Sequence, residues 1–292
     1  ETPPTQKAIS GYGWTSGAVS MTNLCNSSGV IATDVTGVGT ARAGIGAAGY
    51  GGDKAIFAYG NTGSATAISN LVSNSGVVAT DTSGVGTARY YVGATSYGTD
   101  KAIFAYGYTG SIVSMSNLVN SSGVVASDVS GVGTTRKSLA ATTYGGIAAG
   151  TALFAYGDTG SVTNISSLIT NEGVVGSDVT GVGTAREALA AAGYGEDKGI
   201  FGYGYAGGAV SMTNLVSNVG VVASDTSGVG TARYYIGASS YGGDKAIFAY
   251  GNTGSNVSMS NLVNSSGVVA TDVTGVGTAR SYAEAAGYSL SA

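Results

Sequence analysis

One phrase, GVGTAR or a near copy of it, returns six times along the chain, ending at Arg42, Arg89, Arg136, Arg186, Arg233 and Arg280. The intervals are 47, 47, 50, 47 and 47 residues. A fixed period of this length marks a row of one supersecondary unit, each copy too small to bury its apolar face alone. A second phrase, KAIFAYG, recurs at Lys54–Gly60, Lys101–Gly107 and Lys245–Gly251, as KGIFGYG at Lys198–Gly204, and degraded to KAISGYG at Lys7–Gly13. Lys7 to Arg42 and Lys54 to Arg89 are both 35 residues, so the first copy keeps register despite its drift. The one longer interval comes from Gly145–Thr151 (GGIAAGT), which carries three residues more than the Gly-Thr-Asp-Lys type of turn.

Within a unit the sequence divides into four short runs bounded by Gly, Asn and Ser. In one copy these are Arg89–Tyr97, Lys101–Tyr106, Ile112–Val119 and Val124–Val129. Runs rich in Val, Ile, Tyr and Phe between such turns are hairpin strands, and no stretch carries a helical period. Four antiparallel strands per repeat of this length predict an all-β, six-bladed β-propeller over residues 7–292, preceded by an N-terminal arm at 1–6. The chain enters at a second strand, Lys7, and leaves after a first strand, Arg280–Tyr288. Pairing the two would complete one blade, close the ring and hide both edges. The opening residue is Glu1, as expected of a processed product or a segment of a longer chain.

Composition narrows the function. The chain has no His, which removes the commonest general base and metal ligand together. Its net charge of −4, with 12 basic residues spread evenly, argues against nucleic acid, which demands clustered Lys and Arg. No run of 18 apolar residues offers a membrane-spanning helix. Cys25 stands in the slot of Val119 and reads as a small apolar core residue. No paired carboxylates, Ser-His-Asp set or phosphate loop is present, so no catalytic residue, metal or cofactor is assigned.

The unit resembles a kelch repeat. Arg89 opens the first strand, and Ile103–Gly107 (IFAYG) matches the apolar second strand ending in glycine, with a single Gly107 where kelch has two. The resemblance covers Lys7 to Tyr288 and implies a kelch-like propeller. The near-identical units are also similar to repeat propellers of bacteriophage and environmental viral tail or fibre proteins, which implies a virion-surface role.

Two sets of charged residues belong to the repeat itself. Asp34, Asp81, Asp128, Asp178, Asp225 and Asp272 each lie eight residues before Arg42, Arg89, Arg136, Arg186, Arg233 and Arg280. They are expected to form ion pairs anchoring the loop before the first strand. A calcium site is the alternative, but one carboxylate per loop is too few. Against this uniform frame two slots vary. After the Tyr-Gly stand Trp14, Asn61, Tyr108, Asp158, Tyr205 and Asn252, expected on one loop face, where aromatic rings beside amides suit carbohydrate. After the Arg stand Ala43, Tyr90, Lys137, Glu187, Tyr234 and Ser281, of which Tyr90, Lys137, Glu187 and Tyr234 are candidates for a channel mouth. Asn26, Asn120, Asn164, Asn256 and Asn264 fall in Asn-x-Ser triplets, as a Ser-rich chain produces by chance.

These readings point to a non-enzymatic binding or display propeller, extracellular or on a virion surface. The expected partner is a glycan or surface receptor, without nucleic acid or membrane insertion. The alternative is a structural subunit contacting copies of itself or other virion proteins.

Overall fold

The computed structural model describes residues 4–292; the first three residues of the expected arm lie outside the described residues. Among the described residues the regular structure is six antiparallel sheets plus a single helical turn, Gly146–Ala149, inside the GGIAAGT insertion. The first sheet is Gly46–Tyr50, Lys54–Asn61 and Ala65–Val72. The second is Gly93–Tyr97, Lys101–Tyr108 and Ile112–Val119. The third is Ala140–Tyr144, Thr151–Ala155, Ser166–Ile169 and Val175–Val179. The fourth is Ala190–Tyr194, Lys198–Tyr205 and Ala209–Val216. The fifth is Gly237–Tyr241, Lys245–Ala249 and Ser260–Val263. The sixth joins the two ends of the chain: Glu284–Tyr288 pairs with Lys7–Gly11, which pairs with Thr22–Cys25.

The expected fourth strand is continuous only in the third sheet. In the other five it touches the third strand through two isolated bridges, such as Ser69↔Thr82 and Val72↔Val78. Between those bridges the outer segment has one residue more than its partner, a bulge that the continuous fourth strand of the third sheet shares. The first strands are also shorter than expected: Arg89–Val92 precedes the strand that begins at Gly93, because Tyr91 takes a left-handed φ of 57°.

Each middle strand is buried on both faces. Ala55, Ile56, Phe57, Ala58 and Tyr59 have no exposure at all, which explains a continuous apolar run where a half-buried strand would alternate. Each first strand packs against those of two neighbouring sheets, in the order first, second, third, fourth, fifth, sixth and back to the first. Small residues let the sheets close up. A Cβ at Gly46 would lie 2.8 Å from Phe104 of the next sheet, and one at Gly93 2.9 Å from Phe154. Phe57, Phe104, Phe154, Phe201 and Phe248 each meet a Tyr of the preceding sheet edge-on at 5.2–5.4 Å. In the sixth sheet Ser10 stands where that Phe would be, so Tyr250 lacks this partner.

The six arginines hold the seams. Arg42, Arg89, Arg136, Arg186, Arg233 and Arg280 are fully buried. Each guanidinium lies 4.0–4.5 Å over a Tyr ring (Tyr12, Tyr59, Tyr106, Tyr156, Tyr203 or Tyr250) of the preceding sheet. Arg89 also donates to Tyr106 O at 2.9 Å, Thr87 O at 3.1 Å and Asn117 Oδ1 at 2.6 Å in its own sheet. Those tyrosines adopt φ of 60–65°, a conformation costly for a bulky residue. It forms the bulge that offset register between Ala58 and Gly60 records.

The aspartates do not face the arginine eight residues on. Each faces the preceding one: Asp128 lies 3.9 Å from Arg89, Asp178 4.0 Å from Arg136, Asp225 4.0 Å from Arg186, Asp272 3.9 Å from Arg233 and Asp34 3.8 Å from Arg280. An Asn mediates most of these contacts, as when Asn117 accepts from Arg89 and donates to Asp128 at 2.9 Å. Each Asp also receives the amide and hydroxyl of a Thr, for example Thr40 on Asp81. Partial burial opposes ionisation of Asp81, but these hydrogen bonds and Arg42 hold its carboxyl below the usual carboxylate range.

Backbone links repeat at every seam. Gly51 donates to Asp100 O, Gly98 to Gly150, Gly145 to Asp197, Gly195 to Asp244, Gly242 to Gln6, and Ser289 to Asp53. On the other side Gly13 donates to Arg42 O, and its five counterparts do the same to the next Arg. Thr5 and Gln6, the described part of the expected arm along with Pro4, are thus fastened: Gly243 donates to Thr5 O, and Gln6 donates to Ser289 O.

The seam at Arg136 has fewer hydrogen bonds than that at Arg89. Ser167 replaces the Asn, and Arg136 Nε, like Arg280 Nε, has no partner among the described residues. Replacing Arg89 by Met should therefore lower stability by about 3 kcal/mol, and the same change at Arg136 by about 1 kcal/mol less. Urea unfolding midpoints of the two variants check this; equal losses would show that the hydrogen bonds of the guanidinium do not set its contribution.

Candidate functional site

The two variable slots meet. Beyond the Tyr-Gly bulge the second strand resumes pairing with the segment leading to the first strand, so each loop-slot residue bridges one Arg-following residue. The pairs are Trp14↔Ser281, Asn61↔Ala43, Tyr108↔Tyr90, Asp158↔Lys137, Tyr205↔Glu187 and Asn252↔Tyr234. Tyr90, Lys137, Glu187 and Tyr234 thus each lie beside a residue of the loop slot.

Each pair has its own chemistry. Asn61, Asp158 and Asn252 turn the chain, each accepting at 2.7 Å the amide of a glycine two residues on, the usual role of Asx residues in turns. Lys137 Nζ lies 3.3 Å from Asp158 and 5.2 Å from the centroid of the Tyr108 ring. Tyr108 meets Tyr90 edge-on at 5.4 Å, and Tyr205 meets Tyr234 at 5.3 Å. Burial, and then Asp158, raise the Glu187 carboxyl, against the pull of Lys137. Trp14 is 44% exposed, and its ring stacks on no other aromatic ring among the described residues. Its backbone carbonyl receives the amide of Asn256 at 2.9 Å, which gives that Asn-x-Ser triplet a structural role.

The residues that meet at the centre are the next along the chain: Gly44, Tyr91, Ser138, Ala188, Tyr235 and Tyr282, all at φ of 51–62°. Tyr91 donates through its amide to Gly44 O, Ser138 to Tyr91 O, Ala188 to Ser138 O, Tyr235 to Ala188 O, and Tyr282 to Tyr235 O. The rings of Tyr235 and Tyr282 stack at 3.8 Å, with Tyr91 5.6 Å from Tyr282. Burial pushes the Tyr235 hydroxyl up to about 12. Sequence reading passed over this cluster; its only trace was a Tyr two residues after Arg89, Arg233 and Arg280.

Beneath the tyrosines lies a chamber of about 40 Å³ walled by Ala47, Val92, Ala94, Leu139, Leu189 and other small or apolar residues. Glu284 projects into this wall in the slot that Gly46, Gly93, Ala140, Ala190 and Gly237 fill elsewhere. Its side chain is half-buried against this wall, and desolvation there pushes its carboxyl up to about 8. Sequence reading missed this residue also, having placed the inward carboxylate at Glu187.

On the loop face the first sheet differs from the rest. Ala43 and Gly44 leave open what larger side chains fill elsewhere, and a cleft of about 410 Å³ results, lined by Trp14, Ala43, Asn61, Gly63, Tyr91 and Tyr282. The chain matches no protein-family model, and no curated protein matches it in sequence.

Because the folded state holds the Glu284 proton up to about pH 8, while an unfolded Glu releases it near 4.3, ionisation disfavours the fold progressively between those values. Glu284→Gln should match the parent at pH 4 and melt on the order of 5 °C higher at pH 9. A melting difference that does not change with pH would place the carboxyl in contact with bulk water.

Proposed function

We propose that the six sheets are the blades of a closed, kelch-like β-propeller, and that the chain is a non-enzymatic binding module whose loop face recognises a glycan on a surface receptor. One observation carries this reading. Two slots of each repeat that change in charge and aromaticity from copy to copy bridge each other, while the seams repeat the same contacts. A uniform frame with diversified loops is how rigid scaffolds carry binding sites. Exposed indole and phenol rings beside Asn and Asp supply apolar faces for sugar C–H groups and partners for hydroxyls.

Ring closure is supported by the pairing of Lys7–Gly11 with Glu284–Tyr288 and by hydrogen bonds at every seam. A closed ring has no frayed edge, which suits a protein displayed outside a cell or on a virion. In a closed ring the amides of Lys7–Gly11 exchange hydrogen as slowly as those of Lys54–Ala58; exchange a hundredfold faster would mean an open seam.

A second reading has its own support. Val30, Val77, Val124, Val174, Val221 and Val268 are 57–65% exposed, one per repeat. Such a band suits contacts with copies of the chain or other virion proteins, as an assembly subunit would make. A glycan array decides between the two. Selective binding that is lost in the combined Trp14→Ala, Tyr108→Ala, Tyr205→Ala variant is the expected result. An empty array, with concentration-dependent association in sedimentation, would transfer the function to the valine band.

A further inference from the structure

The six pairs on the loop face are not equivalent, and the difference lies in what the first repeat omits. Where other repeats carry Tyr90-Tyr91, Lys137-Ser138, Glu187-Ala188 or Tyr234-Tyr235, this one has Ala43-Gly44. The omission opens the cleft of about 410 Å³, within the range of small-molecule sites. Its lining includes Tyr91 and Tyr282 of the tyrosine stack together with Trp14.

The other aromatic candidates are engaged within the protein: Tyr108 lies against Tyr90 and Lys137, and Tyr205 against Tyr234. The Trp14 ring stacks on no other ring and lies under no cation among the described residues. Asn61, at the mouth, spends its side-chain oxygen on Gly63 at 2.7 Å. Its amide nitrogen makes no hydrogen bond among the described residues and is free to donate. Among the described residues no charged side chain lines the cleft. The charged pair of this face, Lys137 and Asp158, is in another repeat and neutralises itself.

We infer that this cleft, at the junction of the sixth and first sheets, is the primary subsite and takes a single neutral pyranose, stacked on Trp14 and held by the Asn61 amide. The inference rests on the glycan reading above and adds the place, the stoichiometry of one, and the preference for an uncharged ring. An anionic sugar would bring a carboxylate into a cleft that supplies no cation, and its desolvation would go uncompensated.

Trp14 is the only tryptophan of the chain, so its fluorescence reports on this cleft alone. The probes are methyl glycosides of galactose, glucose and mannose, N-acetylglucosamine, and, as acidic counterparts, galacturonic and N-acetylneuraminic acids. At least one neutral probe should shift Trp14 emission saturably in the millimolar range, tenfold more tightly than either acid. Ala43→Tyr installs the ring that the same register position already carries at Tyr90 and Tyr234, so it is compatible with the fold. A thermal melt within a few degrees of the parent checks this.

That variant should weaken the Trp14 response at least tenfold. No saturable response to any neutral probe, tighter binding of an acid, or an undiminished response in Ala43→Tyr would overturn the subsite. If the array binds glycans while Trp14 stays silent, the subsite fails and glycan recognition stands. If Trp14 responds to a simple sugar while the array is empty, the subsite stands and the receptor reading fails.

Discussion

A guanidinium has five donors and never gives up its charge under ordinary conditions, so one removed from water must find a partner for each face and edge. Six of them are buried here, one at each seam. Burial works against the charged form of Arg42, and the Tyr12 ring and Asp81 work for it. The solution draws on both neighbouring sheets: a tyrosine face from one, and carbonyls and an Asn from the other. No sheet satisfies its arginine alone. That requirement fixes the separation and register of adjacent sheets more firmly than apolar contact would, because hydrophobic burial is non-directional.

The same contact explains a backbone strain repeated at every seam. The tyrosines that cover the guanidinium sit at φ of 60–65°, a region a bulky residue enters only when its surroundings over-determine it. The left-handed turn aims the carbonyl of Tyr59 at Arg42 Nε, 2.8 Å away, and swings its ring toward Arg89. One conformation therefore serves two arginines. Past this bulge the chain is released from the seam. The residues immediately beyond it differ in charge and aromaticity between repeats, while those before it stay small or apolar apart from Ser10 and the opening Lys or Thr.

The loop face and the centre express that freedom differently. Around the loop face, pairs such as Lys137 with Asp158 and Tyr205 with Glu187 replace one another without disturbing the frame. Among the residues that follow them, three tyrosines of the six positions stack on one another, and one carboxyl, Glu284, occupies a slot that is otherwise glycine or alanine. The gap at Ala43 and Gly44 gains its significance from these neighbours, since an omission opens a cleft only where surrounding side chains stand.

The period of about 47 residues, the strand runs and the junction of the two chain ends could be read without coordinates, because repeat length and hairpin turns are local properties. So could the buried character of KAIFAYG and the two variable slots. Which residues face one another across a seam could not. The arginine that faces Asp128 is Arg89, 39 residues earlier, not Arg136, since spacing along the chain does not encode which of two similar arginines folding brings near. The pairing of Tyr108 with Tyr90, the stacking of Tyr91, Tyr235 and Tyr282, and the place of Glu284 against the small cavity likewise depend on where the sheets lie relative to one another. The chain's own repetition determined the units; only the tertiary structure, by bringing unlike residues from separate units within contact distance, decided the cleft.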